Sequence, residues 1–393
     1  MSIPSADGLA SYDNADTEFL DLEDVMSALL LADNFLLGRL KQGAAATETK
    51  HSWPEDALNS PTVEQLTSDT TLNDSDTSLV VASGQGALLA IGALLKDVAT
   101  GAAGREVMQV TAISTDTLTV TRGFGGTTAV AHGDPAVAAT RPSFRILSQP
   151  KQENDKNVND RTKMPTTADN YTQIFKYEVE VSGTSQAVKK AGVAPGGQLS
   201  LQLSRRNDEL MRELGTTIYH GVKPSATQQG SDAVIRSMDG IRAFLAASGG
   251  NIDSAGGAMD EAKFNALFRL AWDDGGDPQL AAGAAAQISR FSALQADKIR
   301  IQASDTRRGY YAESFLTDVG REVELLVDRW IQKDELALLD MNRVARHDLR
   351  AWRMEPLAKI GDGERAQLIY EGTLSVKNGT TAHAIAYDLT VPA

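Results

Sequence analysis

The sequence predicts an α+β fold in which helical and strand-forming stretches occupy separate parts of the chain. The run from Phe175 to Val181 alternates apolar and charged residues, which is the period of a β-strand. Residues 196–221 instead repeat leucines at helical spacing, and residues 341–393 return to strand-like patterns. A chain of 393 residues is long enough for two or three domains, each with its own core.

Residues 1–60 are predicted to form an N-terminal arm. Apolar residues recur at helical spacing between positions 22 and 30, so one helix is expected there, and residues 47–54 are expected to be extended. The arm carries 11 acidic and 3 basic side chains, a net charge of −8. Residues 142–222 carry 9 acidic and 11 basic ones, a net charge of +2, so the arm of one subunit can pair with the middle of another.

Residues 61–141 are predicted to be a small inserted β-rich domain. Leu118 and Val120 alternate with threonines, and residues 106–113 form a second β-rich run. Glycines at 123, 125 and 126 and the Asp134-Pro135 pair mark the end of this domain.

Residues 142–195 are predicted to form an extended β-hairpin loop. A polar, apolar-poor tip at 151–170 is flanked by two strand-like segments, of which residues 175–181 are the second. The tip contains lysines and asparagines, the two residue types that isopeptide cross-linking needs. A solvated loop is nevertheless the favoured interpretation.

Residues 196–221 are predicted to be one long helix. The Gly196-Gly197 pair precedes it, Gly221 follows it, and Pro224 prevents its continuation. Leucines at 203, 210 and 214 belong to a single apolar stripe. Such a helix would be ~35 Å long.

The remaining two segments differ in pattern. Residues 222–340 alternate helical and strand-like stretches, with a break at 273–278, whereas residues 341–393 are predicted to be strands with a turn at Asn378-Gly379.

The composition excludes several classes of protein. The chain has no cysteine, which rules out disulfides and thiolate chemistry and fits a reducing cytoplasm. A net charge of −14 argues against a large basic face that grips nucleic acid. The N-terminus lacks the basic and apolar regions of a secretory signal, and apolar runs of about ten residues are too short to span a bilayer.

No motif predicts catalysis, a cofactor or a metal ion. The stretch RGFGG at 122–126 lacks the Lys-Ser/Thr pair of a phosphate-binding loop, so a turn is the better interpretation. The DDGGD run at 273–277 lacks the ligand spacing of a calcium loop. The five histidines are scattered, and no serine lies in a nucleophile-elbow motif. The chain is therefore predicted not to be an enzyme.

The order of these segments, together with short sequence words, resembles the major capsid (major head) proteins of tailed bacteriophages. The words are ADTEFL at 15–20, HSW at 51–53, YTQIF at 171–175, VSGT at 181–184, MDGIRAF at 238–244, WDDGGDP at 272–278 and EPLAKIG at 355–361. They run in a shared order from about residue 15 to the C-terminus.

The resemblance implies the Hong Kong phage-type capsid fold. By it, 142–195 would be the extended loop, 196–221 the spine helix of the peripheral domain, 222–340 mostly the axial domain, and 341–393 the return strands of the peripheral domain. The subunit would assemble in the host bacterial cytoplasm into hexamers and pentamers of an icosahedral or prolate head enclosing double-stranded DNA. Portal, scaffolding and decoration proteins would be its further partners, without a membrane.

Candidate residues for the self-assembly interface are aromatic, leucine and lysine side chains of the arm, loop and helix. They are Phe19, Trp53, Lys151, Lys156, Lys163, Phe175, Tyr177, Leu203, Leu210 and Leu214. Two alternatives stay open at this point. One is another phage structural subunit, such as a tail-tube, fibre or decoration protein, and the other is a hydrolase with a β accessory domain.

Overall fold

A computed structural model describes residues 34–391, apart from 57, 100, 102, 138–139, 152, 154–160, 189–196, 226–229, 231–233 and 296–312. Two compact units are present: residues 56–166 form one, and residues 1–55 with 167–393 form the other. The helix expected at 22–30 lies outside the described residues.

The helices and strands of the described residues follow one another in this order. They are α1 Phe35–Arg39, β1 Lys41–Gln42, β2 Lys50–Glu55, β3 Thr62–Glu64, β4 Ser78–Val80, β5 Leu94–Asp97, β6 Val107–Ser114, β7 Thr117–Thr121, β8 Ser143–Ser148, β9 Thr166–Tyr171, β10 Gln173–Ser182, α2 Gly183–Ala187, α3 Gln198–His220, α4 Ile241–Leu245, β11 Asn251–Asp253, α5 Glu261–Asp273, β12 Leu280–Gly283, α6 Ala285–Gln295, β13 Ser314–Leu316, β14 Glu322–Val327, β15 Leu336–Leu339, β16 Val344–Leu357, β17 Gly363–Val376 and β18 Ala384–Ala386.

The larger unit contains a four-stranded sheet in the order β1-β16-β17-β10. Strands β16 and β17 have 14 residues each and form a long antiparallel hairpin. At ~3.3 Å per residue it extends ~46 Å. Helix α3 packs against β10 and β17, so its apolar stripe and the inward side chains of β10 share one core.

Helix α3 confirms the long helix predicted at 196–221. It has 23 residues and ends at Gly221, whose N–H donates to the carbonyl of Thr217. A Cβ at position 221 would lie 2.5 Å from the carbonyl oxygen of Met238 and 2.6 Å from that of Thr217. Only glycine therefore allows the chain to turn so tightly at this end of the helix.

A second sheet of the larger unit has the order β11-β18-β15-β12-β14-β13 and packs against α5 and α6. Helix α5 begins after Asp260, whose Oδ1 accepts a hydrogen bond from the N–H of Lys263 at 2.7 Å and so caps the helix. The segment 341–393 divides between the sheets, since β16 and β17 lie in the first and β18 in the second.

The smaller unit is a six-stranded barrel. Its strands pair in the order β3-β8-β5-β6-β7-β4, and a bridge between Gln65 and Val81 joins the two outer strands. Two backbone hydrogen bonds flank that bridge, from Leu66 to Val80 at 2.9 Å and from Ala82 to Glu64 at 2.8 Å. Inward side chains fill the barrel: Val63, Leu79, Val81, Leu95, Met108, Val110, Leu118, Val120 and Phe144.

The chain enters and leaves this unit side by side, because Asn59 Nδ2 donates to the carbonyl of Arg161 at 3.0 Å. An insertion whose ends lie close together requires no large displacement of the chain that carries it. Strands β3 to β7 lie within residues 61–141, for which a β-rich domain is predicted.

The predicted hairpin of residues 142–195 is wrong. Strand β8 pairs with β3 and β5 inside the barrel, whereas β10 pairs with β17. Ser182 and Gly363, which pair at one end of β10 and β17, are 181 positions apart in the sequence. The smaller unit accordingly continues to Thr166 instead of ending at 141. Alternation of apolar and polar residues identifies a strand but does not identify its partner, so two strands near in sequence were paired in error.

This pairing predicts how fragments of the smaller unit behave. Residues 56–166 expressed alone should show a cooperative thermal transition with a β-type circular dichroism spectrum. Residues 62–141 lack β8, which supplies Phe144 to the core and pairs with two strands, and should therefore not fold. A cooperative melt of the shorter fragment would contradict the barrel arrangement.

Candidate assembly surfaces

Four of the ten predicted interface residues are buried inside the subunit. Phe175, Leu210 and Leu214 are at most 2% exposed and lie in the core between α3 and the first sheet. Trp53 is 4% exposed; its Nε1 donates to Glu55 Oε1 at 2.9 Å. The prediction that they contact a neighbouring subunit is corrected, because amphipathic periodicity marks a buried face without saying which surface covers it.

Two further residues are half-buried and reach the rim of the same core. Leu203 packs against it from α3, and Tyr177 does so from β10. The hydroxyl of Tyr177 donates to Glu213 Oε2 at 2.8 Å, and this bond, with burial, raises the pKa of Tyr177. Both residues therefore contribute first to the subunit, and their exposed parts remain candidates for contact.

The predicted lysines lie in or beside the smaller unit. Lys151 and Lys163 are exposed, whereas Lys156 lies outside the described residues, as does Phe19 of the arm. Because Lys163 is exposed, its side chain stays in contact with water.

The connection of the long hairpin carries exposed apolar side chains that the sequence analysis did not select. Met354 and Ile360 are 59% and 78% exposed, at the end where β16 turns into β17. The N–H of Gly183 donates to the carbonyl of Asp362 at 3.0 Å, which fixes α2 beside this connection. Exposed apolar side chains at this end of the hairpin are suited to contact with another chain.

The two edges of the first sheet differ. The first part of the β16 edge is covered by the chain's own β1, whose pairing continues through hydrogen bonds from Gly43 to Arg346 at 2.8 Å and from Ala46 to Asp348 at 3.1 Å. Within the described residues no strand pairs with the opposite edge, that of β10. Beside β10 lies a groove of about 500 Å³, bordered on its other side by α3.

A buried charged cluster lies at one end of the barrel and was missed by sequence reasoning. Glu106 accepts hydrogen bonds from Arg122 Nε at 2.7 Å and Nη2 at 2.8 Å. His132 places Nδ1 2.6 Å from Asp97 Oδ2 and Nε2 3.2 Å from Glu106 Oε2. All four side chains are at most 6% exposed. We define these four residues as the charged cluster of the barrel.

The charged cluster determines the electrostatics of Glu106. Burial alone would raise the pKa of this carboxyl, but hydrogen bonds from Arg122 and from the N–H groups of Val130 and Gly123 outweigh it and lower the pKa to about 2. The same bonds fix the glycine-rich stretch 122–126, which forms a turn as predicted, with positive φ at its three glycines. In the sequence, Arg122 directly before these glycines was the signal that could have indicated the charged cluster.

The family model described as SU10 major capsid protein matches residues 9–390. The chain belongs to this family. It is a phage major capsid protein, and the resemblance noted in its sequence words is confirmed.

Solved structures agree with this capsid protein in fold. A chain described as the cyanophage A-1(L) capsid asymmetric unit aligns with a TM-score of 0.54 at 10% identity, covering 97% of this chain and 100% of that one. A chain described as Microbacterium phage Oxtober96 aligns with a TM-score of 0.50 at 13% identity, covering 98% and 100%. No curated protein sequence matches. The capsid protein has the predicted Hong Kong phage-type capsid fold.

Two further observations concern the described part of the capsid protein. It contains no group of three or more histidine, aspartate or glutamate side chains arranged to hold a metal ion. None of its helices there is long and apolar enough to cross a membrane.

Proposed function

We propose that this capsid protein assembles into hexamers and pentamers that build the head shell around double-stranded DNA, as a structural subunit without catalytic activity. The observation that carries the proposal is the family match over residues 9–390. Portal and scaffolding proteins are its proposed partners during assembly in the bacterial cytoplasm, and decoration proteins are further candidates.

The unlike edges of the first sheet support ring formation. A surface that joins a different surface on the next copy gives a heterologous contact, and such contacts close into rings when the rotation permits. The connection of the long hairpin and the open edge of β10 are two such unlike surfaces. Through such a pair of surfaces each subunit contacts two neighbours, in a ring of either five or six copies.

The charge of the subunit supports enclosure of DNA without tight binding. A net charge of −14 gives a long-range field that repels phosphate, so packaged DNA would remain free to leave the shell. The acidic N-terminal arm would lie against the slightly basic middle of a neighbour. Rising ionic strength should weaken that pairing, because screening shortens the range of exposed charges.

Electron microscopy of the purified protein, alone and with its scaffolding protein, tests the proposal. Closed shells with five-fold and six-fold capsomers are the expected result. Tubes would instead favour a tail-tube subunit, and particles limited to single subunits or trimers would favour a decoration or fibre protein.

We also predict that the shell is held by non-covalent contacts alone. A lysine must be neutral to attack an asparagine side chain, which requires an apolar environment, and Lys151 and Lys163 are exposed. Particles boiled in detergent should therefore run as one band near 42.0 kDa. A ladder of multimers that resists boiling would disprove this, and mass spectrometry should then locate the bond at Lys151, Lys156 or Lys163.

A further inference from the structure

The groove beside β10 combines an open strand edge with a mainly polar lining. Residues 178–182 of β10 line one side, and Val179 and Val181, each 7% exposed, add a small apolar part. An open edge presents N–H and C=O groups at every second residue, and only another extended backbone satisfies them in sequence. The shape and chemistry therefore fit a single added strand.

The opposite wall of the groove is polar and comes from α3. Gln198, Gln202 and Arg206 stand four residues apart, so they share one face of the helix. The side-chain oxygen Oε1 of Gln198 is buried and has no hydrogen-bond partner among the residues that the structure describes. A buried acceptor without a partner is costly, and a backbone N–H of an incoming strand would satisfy it.

We propose that this groove receives an extended segment of a second copy of the capsid protein, which adds a strand to the sheet at β10. The inference rests on the proposed assembly function and specifies one contact by which copies join. Strand addition binds through main-chain hydrogen bonds and selects alternate side chains through pockets.

The chain itself shows that its segments can join this sheet. Residues 41–46 already lie along the first part of β16, in cis, and pair with it at residues 345–348. Among the described residues, no strand pairs with the edge of β10. In an array of identical subunits the neighbour of each open edge is another copy, which makes a second copy the occupant.

Charged side chains follow the open edge. Glu178 and Glu180 project from β10, and both pair with the same Arg365, at 3.7 Å and 3.4 Å. Lys176 also pairs with Glu178 at 2.6 Å. Two carboxylates are thus balanced by two cations, and charged side chains along an edge strand limit unselective pairing with other chains.

Backbone amide hydrogen exchange gives the first test, on unassembled subunits and assembled shells of the full chain. About five of the ten amides of β10 point to the open edge. These should exchange at least about tenfold more slowly in shells, whereas β17, a central strand in both states, should change little. Equal exchange of β10 in the two states would overturn the proposal.

A matched pair of variants gives the second test. Gln202→Trp fills the groove, and Ser204→Trp places the same side chain on the exposed face of α3, outside the groove. Both variants should fold with similar melting temperatures. Gln202→Trp should lower the shell yield about tenfold or more, a loss equivalent to ~1.4 kcal/mol per contact. Shells formed equally well by both variants would contradict the proposal.

A photo-activatable amino acid at position 202, in shells mixed from ¹⁴N- and ¹⁵N-labelled subunits, identifies the occupant. Cross-linked peptides that combine both isotopes would confirm a second copy. Cross-links confined to a single isotope would show that the chain fills its own groove and would overturn the proposal. Absence of shells from the wild-type chain would instead contradict the proposed function, so the two failures are distinguishable.

Discussion

Replacing Leu210 with aspartate should unfold the larger unit and not only prevent assembly. Leu210 is fully buried between α3 and the first sheet. Burying an unpaired carboxylate and losing the leucine contacts should cost on the order of 5 kcal/mol. Since a domain is stabilised by only about 5–15 kcal/mol, little folded subunit should remain. Soluble yield and circular dichroism melts measure the effect.

Ser204→Asp is the control for this variant. It introduces the same charge on the exposed face of the same helix and should leave the melting temperature within a few degrees of the wild type. If Leu210→Asp instead gives a stable, folded subunit that merely fails to assemble, Leu210 contacts a neighbour and the core described for α3 is wrong.

Replacing Arg122 with methionine should destabilise the barrel by about 3–5 kcal/mol. The substitution keeps much of the side-chain volume but removes the ion pair between Arg122 and Glu106. His132 is then the remaining basic residue beside the two buried carboxylates of the charged cluster. The expected readout is a lower melting temperature of residues 56–166. Arg145→Met, at an exposed position of β8, should have little effect. Equal melting temperatures of the two variants would contradict a stabilising role for the cluster.

The same cluster predicts how the stability of the barrel depends on pH. The pKa of Glu106 falls from its ordinary value of 4.5 to about 2 in the folded state. Its contribution, about 3 kcal/mol, is therefore present above pH 4.5 and is lost as the pH falls from 4.5 through 2. Thermal melts of residues 56–166 across this range should show the loss. Glu106→Gln should reduce the pH dependence, and an unchanged dependence would exclude Glu106 as its source.

Local patterns predicted the elements of this fold well. The glycines around α3 and the alternation in β10 each concern residues that are near in sequence, where helix termination and strand spacing operate directly. The order of sequence words then predicted the capsid fold. The sequence therefore allowed the type of these elements, helix or strand, and the protein family to be predicted.

The partners of these elements could not be read in the same way. Strand β10 finds its partner in β17, and the cluster of the barrel joins Asp97 and Glu106 to Arg122 and His132 across separate loops. Several pairings of the same strands satisfy the same local pattern, and only three-dimensional packing selects among them. For the same reason leucines of α3 were predicted at an interface although they lie in the core.

The adjacency of Asn59 and Arg161 has an evolutionary consequence. A barrel whose first and last segments touch can be gained, lost or exchanged in a single recombination event, because the recipient chain needs only a gap of loop length at residues 56–166. Since a bridge joins its outer strands, the described part of the barrel has no open sheet edge that could pair with another chain and start aggregation. Related heads can therefore diversify this cassette while the shell-forming framework stays the same.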